Sequence, residues 1–322
     1  MANAVLAFTR VLLCALAALL PIAAGAQVFP ERPITLIVAY PPGGATDVAM
    51  RAFAEAASRV FGRHIVVENR PGATGTLPAT YVARNAKPDG YTVAQFPVTV
   101  LRLPHLQKGQ FDPLTDLTWI IGTTAYNYGV VVRAETPWKT WANFIAHARA
   151  NPGKVTYGTS GVGSTLHITM EELAARDGVK WLHVPYKGNA DAIHALMGGH
   201  IDAIASSPGW AELVDTGKLR VISAWGESRM KRWPEVPTLQ ELGYGLVRTS
   251  PYGIGGPKGM DPKIVRILHD GFHKAMQDPA YLKTLERLEL ENWYRSTDDY
   301  LAWAKEQYLI EKGIVERFGL KP

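Results

Sequence analysis

Two glycine-bearing turns in the sequence have the residue types needed to bind an anion without a charged side chain. The first occupies residues 42–47 (PGGATD), between a β-branched run at residues 34–39 and an alanine-rich stretch. Glycine lets the chain turn tightly and leaves backbone N–H groups uncovered. The N-terminus of the following helix attracts negative charge. Gly43, Gly44 and Ala45 are therefore candidate donors, and an ordinary strand-to-helix turn without a ligand is the alternative.

Asp47 is the acidic residue of this first turn. A carboxylate repels an anion, so we assign Asp47, or its neighbour Thr46, to the N-cap of the helix. Contact between Asp47 and the ligand is the alternative for a ligand that carries an amine.

The second turn occupies residues 160–164 (SGVGS) and again joins a strand to a helix. Two further turns have the same character, at Gly72 and Ala73 and at residues 186–188 (YKG). Ligands of open α/β sheets bind beyond the carboxyl ends of the strands. Four such turns in two halves of the chain predict a cleft with N–H donors on both walls.

Catalytic and metal-binding patterns are incomplete in this sequence. Ser160 with His167 and Asp202 could form a hydrolase triad, but residues 158–162 (GTSGV) lack the last glycine of the nucleophile elbow. The phosphate-loop and dinucleotide patterns are absent. His167 and Glu171 share a predicted helix face without a second histidine to complete a zinc site. We expect no metal, no cofactor and no catalytic residue.

Strands and helices alternate along the chain, which predicts an α/β fold with mainly parallel sheets in two lobes. Residues 97–113 contain two prolines after the first and are predicted to be irregular. Arg102 and His105 lie in this segment. We expect them in a solvated loop, and the alternative is that they reach inward to meet a second anionic group.

The first 26 residues have the pattern of a cleavable signal peptide: a basic residue, an apolar run and small residues before Gln27. Cys14 is the one cysteine of the 322-residue chain and lies within that segment, so no disulfide is expected. The formal net charge is +5 with scattered basic residues, which does not indicate nucleic-acid binding. The sequence therefore predicts an exported, periplasmic protein.

An ordered set of short motifs resembles the Bug family, the periplasmic solute receptors of tripartite tricarboxylate transporters. The motifs include PGGATD, VENRPGA and PDGYT in the first half, then NPGK, SGVGS, VPYKG, GGHID and PEVPT in the second. Each one is weak alone, but together they run in order from Phe29 to near the C-terminus.

The resemblance implies a two-lobe Venus-flytrap fold of the type II-like periplasmic binding proteins, each lobe a sheet flanked by helices, with an interlobe cleft. Residues 27–126 and 249–322 would form the first lobe, and residues 127–248 the second. It further implies a monomer that captures a small carboxylated metabolite and delivers it to transporter subunits in the membrane. A receptor that signals to a membrane sensor kinase is an alternative that this pattern does not separate.

Carried over position by position, the resemblance places the ligand contacts on the turns described above. The expected set is Gly43, Gly44, Ala45, Asp47, Gly72, Ala73, Ser160, Gly161, Val162, Gly163, Ser164, His167, Tyr186, Lys187 and Asp202. The identity of the carboxylate does not follow from these residues.

Overall fold

The computed structural model describes residues 29–106 and 111–317. The predicted signal peptide lies outside these residues. Residues 32–106 and 111–317 belong to one compact unit. The unit contains two β-sheets with flanking helices, so the predicted two-lobe α/β class is confirmed.

The first sheet has six strands in the order β11-β4-β10-β3-β1-β2. Its strands are β1 (Ile34–Val38), β2 (Ile65–Asn69), β3 (Thr92–Pro97), β4 (Leu117–Tyr126), β10 (Ser250–Pro257) and β11 (Glu291–Arg295). The second sheet has the order β7-β6-β8-β5-β9. Its strands are β5 (Gly129–Arg133), β6 (Thr156–Thr159), β7 (Leu182–Pro185), β8 (Ala203–Ser206) and β9 (Leu219–Ala224).

Helices connect these strands in chain order. They are α1 (Ala45–Phe61), α2 (Leu77–Asn85), α3 (Thr99–Leu106), α4 (Trp141–Ala150), α5 (Thr165–Asp177), α6 (Asn189–Met197), α7 (Ala211–Asp215), α8 (Pro262–Ala275), α9 (Pro279–Arg287) and α10 (Thr297–Arg317). We call the six-stranded sheet with α1–α3 and α8–α10 the first lobe, and the other sheet with α4–α7 the second. None of the helices in the described part of the chain is long and apolar enough to cross a membrane.

The sheets are mixed, so the prediction of mainly parallel sheets is wrong. Strand β1 pairs in parallel with β2 and β3, whereas β10 runs antiparallel to both β3 and β4. The cause is the path of the chain, because β10 returns from the second lobe and inserts between two strands of the first. The chain crosses between the lobes after Tyr126 and again between Ala224 and Ser250.

Residues 97–113 are not irregular throughout, because they contain helix α3 despite Pro104. Val100, Leu101 and Leu103 are buried, and burial of this apolar face outweighs the cost of a proline near the helix end. Helix α9 and strand β11 follow α8 and precede the long helix α10.

Aromatic side chains fill both lobes. Five tryptophans are at most 8% exposed: Trp138, Trp141, Trp181, Trp210 and Trp225. In the first lobe Phe53 packs between Phe272 and Tyr281 with ring centroids 5.4 Å apart, which joins α1 to α8 and α9. These contacts hold α1, and thus its N-terminus, in a fixed place on the sheet.

Candidate functional site

A small cavity lies between the two lobes, at the N-terminal end of α1. Its volume is about 30 Å³. Both lobes supply its walls, and the lining residues are Tyr40, Pro41, Gly44, Thr46, Tyr126, Tyr128, Ser160, Leu166, Asn189, Ser206 and Ser207. None of these residues is charged, so the cavity offers neutral donors and acceptors only.

The N-termini of two helices, one from each lobe, reach this cavity. Gly44 is the N-cap residue of α1, and Gly188 is the N-cap residue of α6. Neither helix has a side-chain cap, which leaves first-turn N–H groups without an intrahelical partner. A Cβ atom at Gly188 would lie only 2.5 Å from Cδ of Pro41, so the two turns are in direct contact.

A chain of buried hydrogen bonds orients one hydroxyl of the cavity. The backbone N–H of Ala39 donates to Oε1 of Gln95, which fixes the orientation of that amide. Nε2 of Gln95 donates to the hydroxyl oxygen of Tyr126, which lies 2.7 Å from Oγ1 of Thr46. Burial holds the pKa of Tyr126 well above its usual value, so the phenol keeps its proton. Tyr126 can therefore donate to Thr46, whose own hydrogen is left for a ligand.

In the first turn only Gly44 of the expected ligand residues lines the cavity. Asp47 is not the N-cap, because Gly44 holds that position and Asp47 lies in the first turn of α1. Its carboxylate accepts hydrogen bonds from the N–H of Gly43, from Arg51 and from Asn69. The N–H of Gly43 is thus already used. Ala45 is buried beside this network.

In the second turn Ser160 lines the cavity, and the other residues build the turn itself. The N–H of Gly163 donates to Nδ1 of His167, and Oγ of Ser164 accepts from the N–H of His167 as the cap of α5. Gly161 has a φ of +124°, and Val162 is 59% exposed. The second turn therefore has fewer free N–H groups than its glycines predict.

Gly72 and Ala73 form the turn that positions their neighbour Thr74 against the second lobe. Both have positive φ angles, and Oγ1 of Thr74 donates to the carbonyl of Val162 across the lobe boundary. Their turn touches the second turn, and the structure places neither residue in the cavity lining.

Three further predicted residues lie in the second lobe outside the cavity lining. Tyr186 packs on the hydrophobic core, and Lys187 is exposed. Asp202 accepts two hydrogen bonds from Thr156. Within the described residues no hydrogen bond joins Asp202, His167 and Ser160, so they are not assembled as a triad.

Arg102 is not in a solvated loop, because its side chain is only 2% exposed. It pairs with Glu311 of α10 at 2.5 Å. It also donates to the carbonyl of Gly163 and to Oγ1 of Thr165, both in the second lobe. His105 is half-buried and contacts the carbonyl of Tyr308. Arg102 therefore links the lobes through the second turn and does not line the cavity.

Two histidines stack beneath the second turn. The rings of His167 and His183 lie 4.1 Å apart, and Nε2 of His183 lies 2.7 Å from Oγ1 of Thr159. Burial, with a smaller contribution from His167, lowers the pKa of His183 from 6.5 to about 4. Burial also lowers the pKa of His167. Exposed His194 lies away from this pair, on α6.

We expect stability to fall as the pH decreases from about 6.5 toward 4. In this window the unfolded chain protonates His183 and the folded protein does not, so the unfolded state binds more protons. The lowered pKa of His167 acts in the same direction. After allowance for solvent screening, the loss is about 1–2 kcal/mol. Urea unfolding between pH 4.5 and 7 measures it. His183→Phe should flatten this dependence and His194→Gln should not; equal slopes in all three proteins would contradict the assignment.

A larger groove of about 840 Å³ lies on the outer face of the first lobe, between α1 and β2. Its walls come from one lobe. Two of its guanidinium groups are already paired, Arg51 with Asp47 and Arg59 with Glu55 and Asp278. It therefore lacks the two-sided construction of the interlobe cavity. No cluster of three histidine, cysteine or acidic residues suited to a metal ion occurs in residues 29–106 and 111–317.

Most residues of the cavity lining are not indicated by the sequence patterns. Asn189, Ser206 and Ser207 follow or end strands of the second sheet, a position that could have indicated them. Tyr126 and Tyr128 flank a crossing between the lobes, and their approach to the cavity follows only from the packing of both sheets.

The family model described as "Tripartite tricarboxylate transporter family receptor" matches residues 49–320. A Cupriavidus necator protein, "UPF0065 protein in gbd 5'region", is 49% identical over 94% of this chain and 92% of its own length. Protein BugT of Bordetella pertussis is 30% identical, with 92% of each chain covered.

Solved structures agree with these sequence matches. The periplasmic binding protein BugD has a TM-score of 0.87 and 27% identity, covering 91% of this chain and all of the other. R. palustris Rpa4515 with adipate has a TM-score of 0.84 and 27% identity over 90% and 98% of the two chains. MatC of Rhodopseudomonas palustris with bound malate has a TM-score of 0.82 and 25% identity, covering 89% of this chain and all of the other. The chain belongs to the solute-binding receptors of the tripartite tricarboxylate transporter family, whose members are periplasmic.

Proposed function

We propose that this receptor captures a small carboxylate in the interlobe cavity and releases it unchanged. The observation that carries the proposal is the meeting of two uncapped helix N-termini, α1 and α6, at a cavity without charged side chains. Each terminus attracts an anion through its free N–H groups and its dipole. The structures of relatives with adipate and malate support a carboxylate as the ligand.

The available donors are sufficient for useful affinity. A micromolar dissociation constant corresponds to about 8 kcal/mol. Each hydrogen bond to a charged group contributes about 1.5–3 kcal/mol. Backbone N–H groups of the two helices, with the hydroxyls of Thr46 and Ser160, can supply four or more. No arginine is needed, and neutral donors favour reversible capture.

The lobes must separate for the solute to enter. The cavity is small, and residues of both lobes close around it. The contacts Gly188 to Pro41 and Thr74 to Val162 must open, which is the hinge motion typical of two-lobe binding proteins. The predicted lobe boundaries near residues 126/127 and 248/249 are our proposal for the hinge.

Thr46→Val should weaken carboxylate binding about tenfold. The substitution keeps the shape of the side chain and removes the hydroxyl that the Gln95–Tyr126 chain orients toward the ligand. Calorimetry with a panel of short mono- and dicarboxylates measures the effect. Thr80→Val is the control, since Thr80 lies in α2 outside the cavity lining and its hydroxyl donates to the backbone carbonyl of Thr76. Equal affinities of the wild type and Thr46→Val would contradict the role of this hydroxyl.

The same panel tests the proposed function as a whole. Native mass spectrometry of the purified protein identifies a co-purified acid, and calorimetry then measures its affinity. A stoichiometric complex from which the acid is recovered unchanged is the expected result. Conversion of an ester or amide substrate would instead support the hydrolase alternative, and failure of every carboxylate to bind would refute the proposal.

We further propose that the N-terminal 26 residues direct export and that the loaded receptor docks on membrane subunits of a tripartite transporter. Membership of the receptor family supports this partner. A sensor kinase is the second candidate. Pull-down of each membrane protein with and without a bound carboxylate distinguishes the two, because only the true partner should respond to ligand.

A further inference from the structure

Two buried polar atoms of the cavity have no hydrogen-bond partner in this structure. They are Oδ1 of Asn189 and Oγ of Ser206, both on residues that line the cavity. Ser206 is 2% exposed. Buried polar atoms are nearly always paired, and a group left unpaired inside a protein is costly. Two of them in one ligand cavity indicate that a bound molecule supplies their partners.

The orientation of the Asn189 amide follows from its other atom. Nδ2 donates to the carbonyl of Ser207 at 2.8 Å, so Oδ1 is the remaining atom and can only accept. Ser206 can donate or accept through its hydroxyl. A ligand hydroxyl can donate to Asn189 and accept from Ser206, which satisfies both orphan atoms with one group.

Other ligand groups fit these two atoms less well. A second carboxylate cannot donate to Oδ1 of Asn189. An ammonium group can donate, but it would be a buried charge without a counter-charge, because no lining residue is acidic. The carboxylate of Asp47, on the adjacent turn, is already paired with Arg51 and Asn69.

We infer that the receptor selects a short hydroxy-monocarboxylic acid, whose carboxylate is held by the helix N-termini and whose hydroxyl is read by Asn189 and Ser206. This inference rests on the proposed function and names its substrate class. A site built to bond a hydroxyl discriminates strongly against the analogue that lacks it.

Matched acids test the inference by calorimetry on the purified protein. The panel is propionate and butyrate, their hydroxy derivatives at each carbon, 4-aminobutyrate and succinate. We expect at least one hydroxy acid to bind ten times or more tightly than its parent, than 4-aminobutyrate and than succinate. Equal binding of hydroxy acids and parents overturns the inference and leaves carboxylate capture intact. If no acid binds, both proposals fail.

Ser206→Ala tests whether Ser206 forms a hydrogen bond with the hydroxyl of the ligand. We expect the preference for the hydroxy acid to fall about tenfold, whereas binding of the parent acid changes less than about threefold. Thr169→Val is the matched control, because Oγ1 of Thr169 is also buried without a partner but lies outside the cavity lining. An unchanged preference in Ser206→Ala overturns the assignment of Ser206.

Discussion

Gly188→Ala should reduce carboxylate affinity by about 100-fold or more while each lobe stays folded. The added Cβ would lie 2.5 Å from Cδ of Pro41, a ring atom of the opposite lobe that has little freedom to move. The backbone of Gly188 is extended, with φ near −174°, so alanine introduces no local strain. The clash therefore acts on closure alone, and the ligand loses the donors of one lobe. Two lost charge-assisted bonds account for a change of this size.

Calorimetry and small-angle scattering together check this expectation. The variant should bind weakly and should show no compaction when the acid is added, whereas the wild type becomes more compact. Gly313→Ala is the control, because a Cβ atom there has no neighbour within 4 Å and α10 accepts alanine readily. Wild-type affinity in Gly188→Ala would show that the Pro41 contact is not part of the liganded state.

Arg102→Met should lower the free energy of unfolding by about 3–5 kcal/mol and also weaken ligand binding. It leaves Glu311, 2% exposed, as a buried carboxylate without its cation. It also removes the hydrogen bonds from Arg102 to Gly163 and Thr165 across the lobe boundary. Urea unfolding measures the first effect, and calorimetry with the tightest-binding acid measures the second.

The double variant Arg102→Met/Glu311→Leu separates the two effects. Removal of both charges should restore most of the stability, since a buried ion pair contributes little beyond its own desolvation. The affinity should remain about tenfold reduced, because the link to the second turn is still missing. Lys312→Met, which breaks an exposed pair on the same helix, should change neither quantity by much. Full recovery of affinity in the double variant would exclude Arg102 from a role in closure.

Local sequence patterns predict the turns of this site but not its lining. Gly44 and Ser160 follow buried strands and precede helices, so the chain on either side is enough to indicate them. Arg102 pairs with a residue 209 positions away, and nothing near it in sequence indicates the burial of its charge. The same is true of Tyr126, whose hydroxyl meets Thr46 80 positions away.

The glycine content of the two turns suggests more free backbone N–H groups than the structure has. The N–H of Gly43 is used by Asp47 and that of Gly163 by His167, each four residues later in the following helix. In such a turn, the side chain four residues later can accept the hydrogen bond that the glycine N–H would otherwise offer to a ligand. Helix N-termini without a side-chain cap, such as those of α1 and α6, are a better indication of an anion site. They can be recognised only when the cap geometry is known.

The closed cavity of about 30 Å³ has a consequence for how much acid the receptor captures. The contacts between the empty lobes must break before a solute can enter, so this state competes with binding. The apparent dissociation constant equals the intrinsic one divided by the fraction of receptors that are open. With one receptor in ten open, the apparent affinity is about tenfold weaker. Contacts between the empty lobes, such as that of Thr74 with Val162, thus set the solute concentration at which uptake begins.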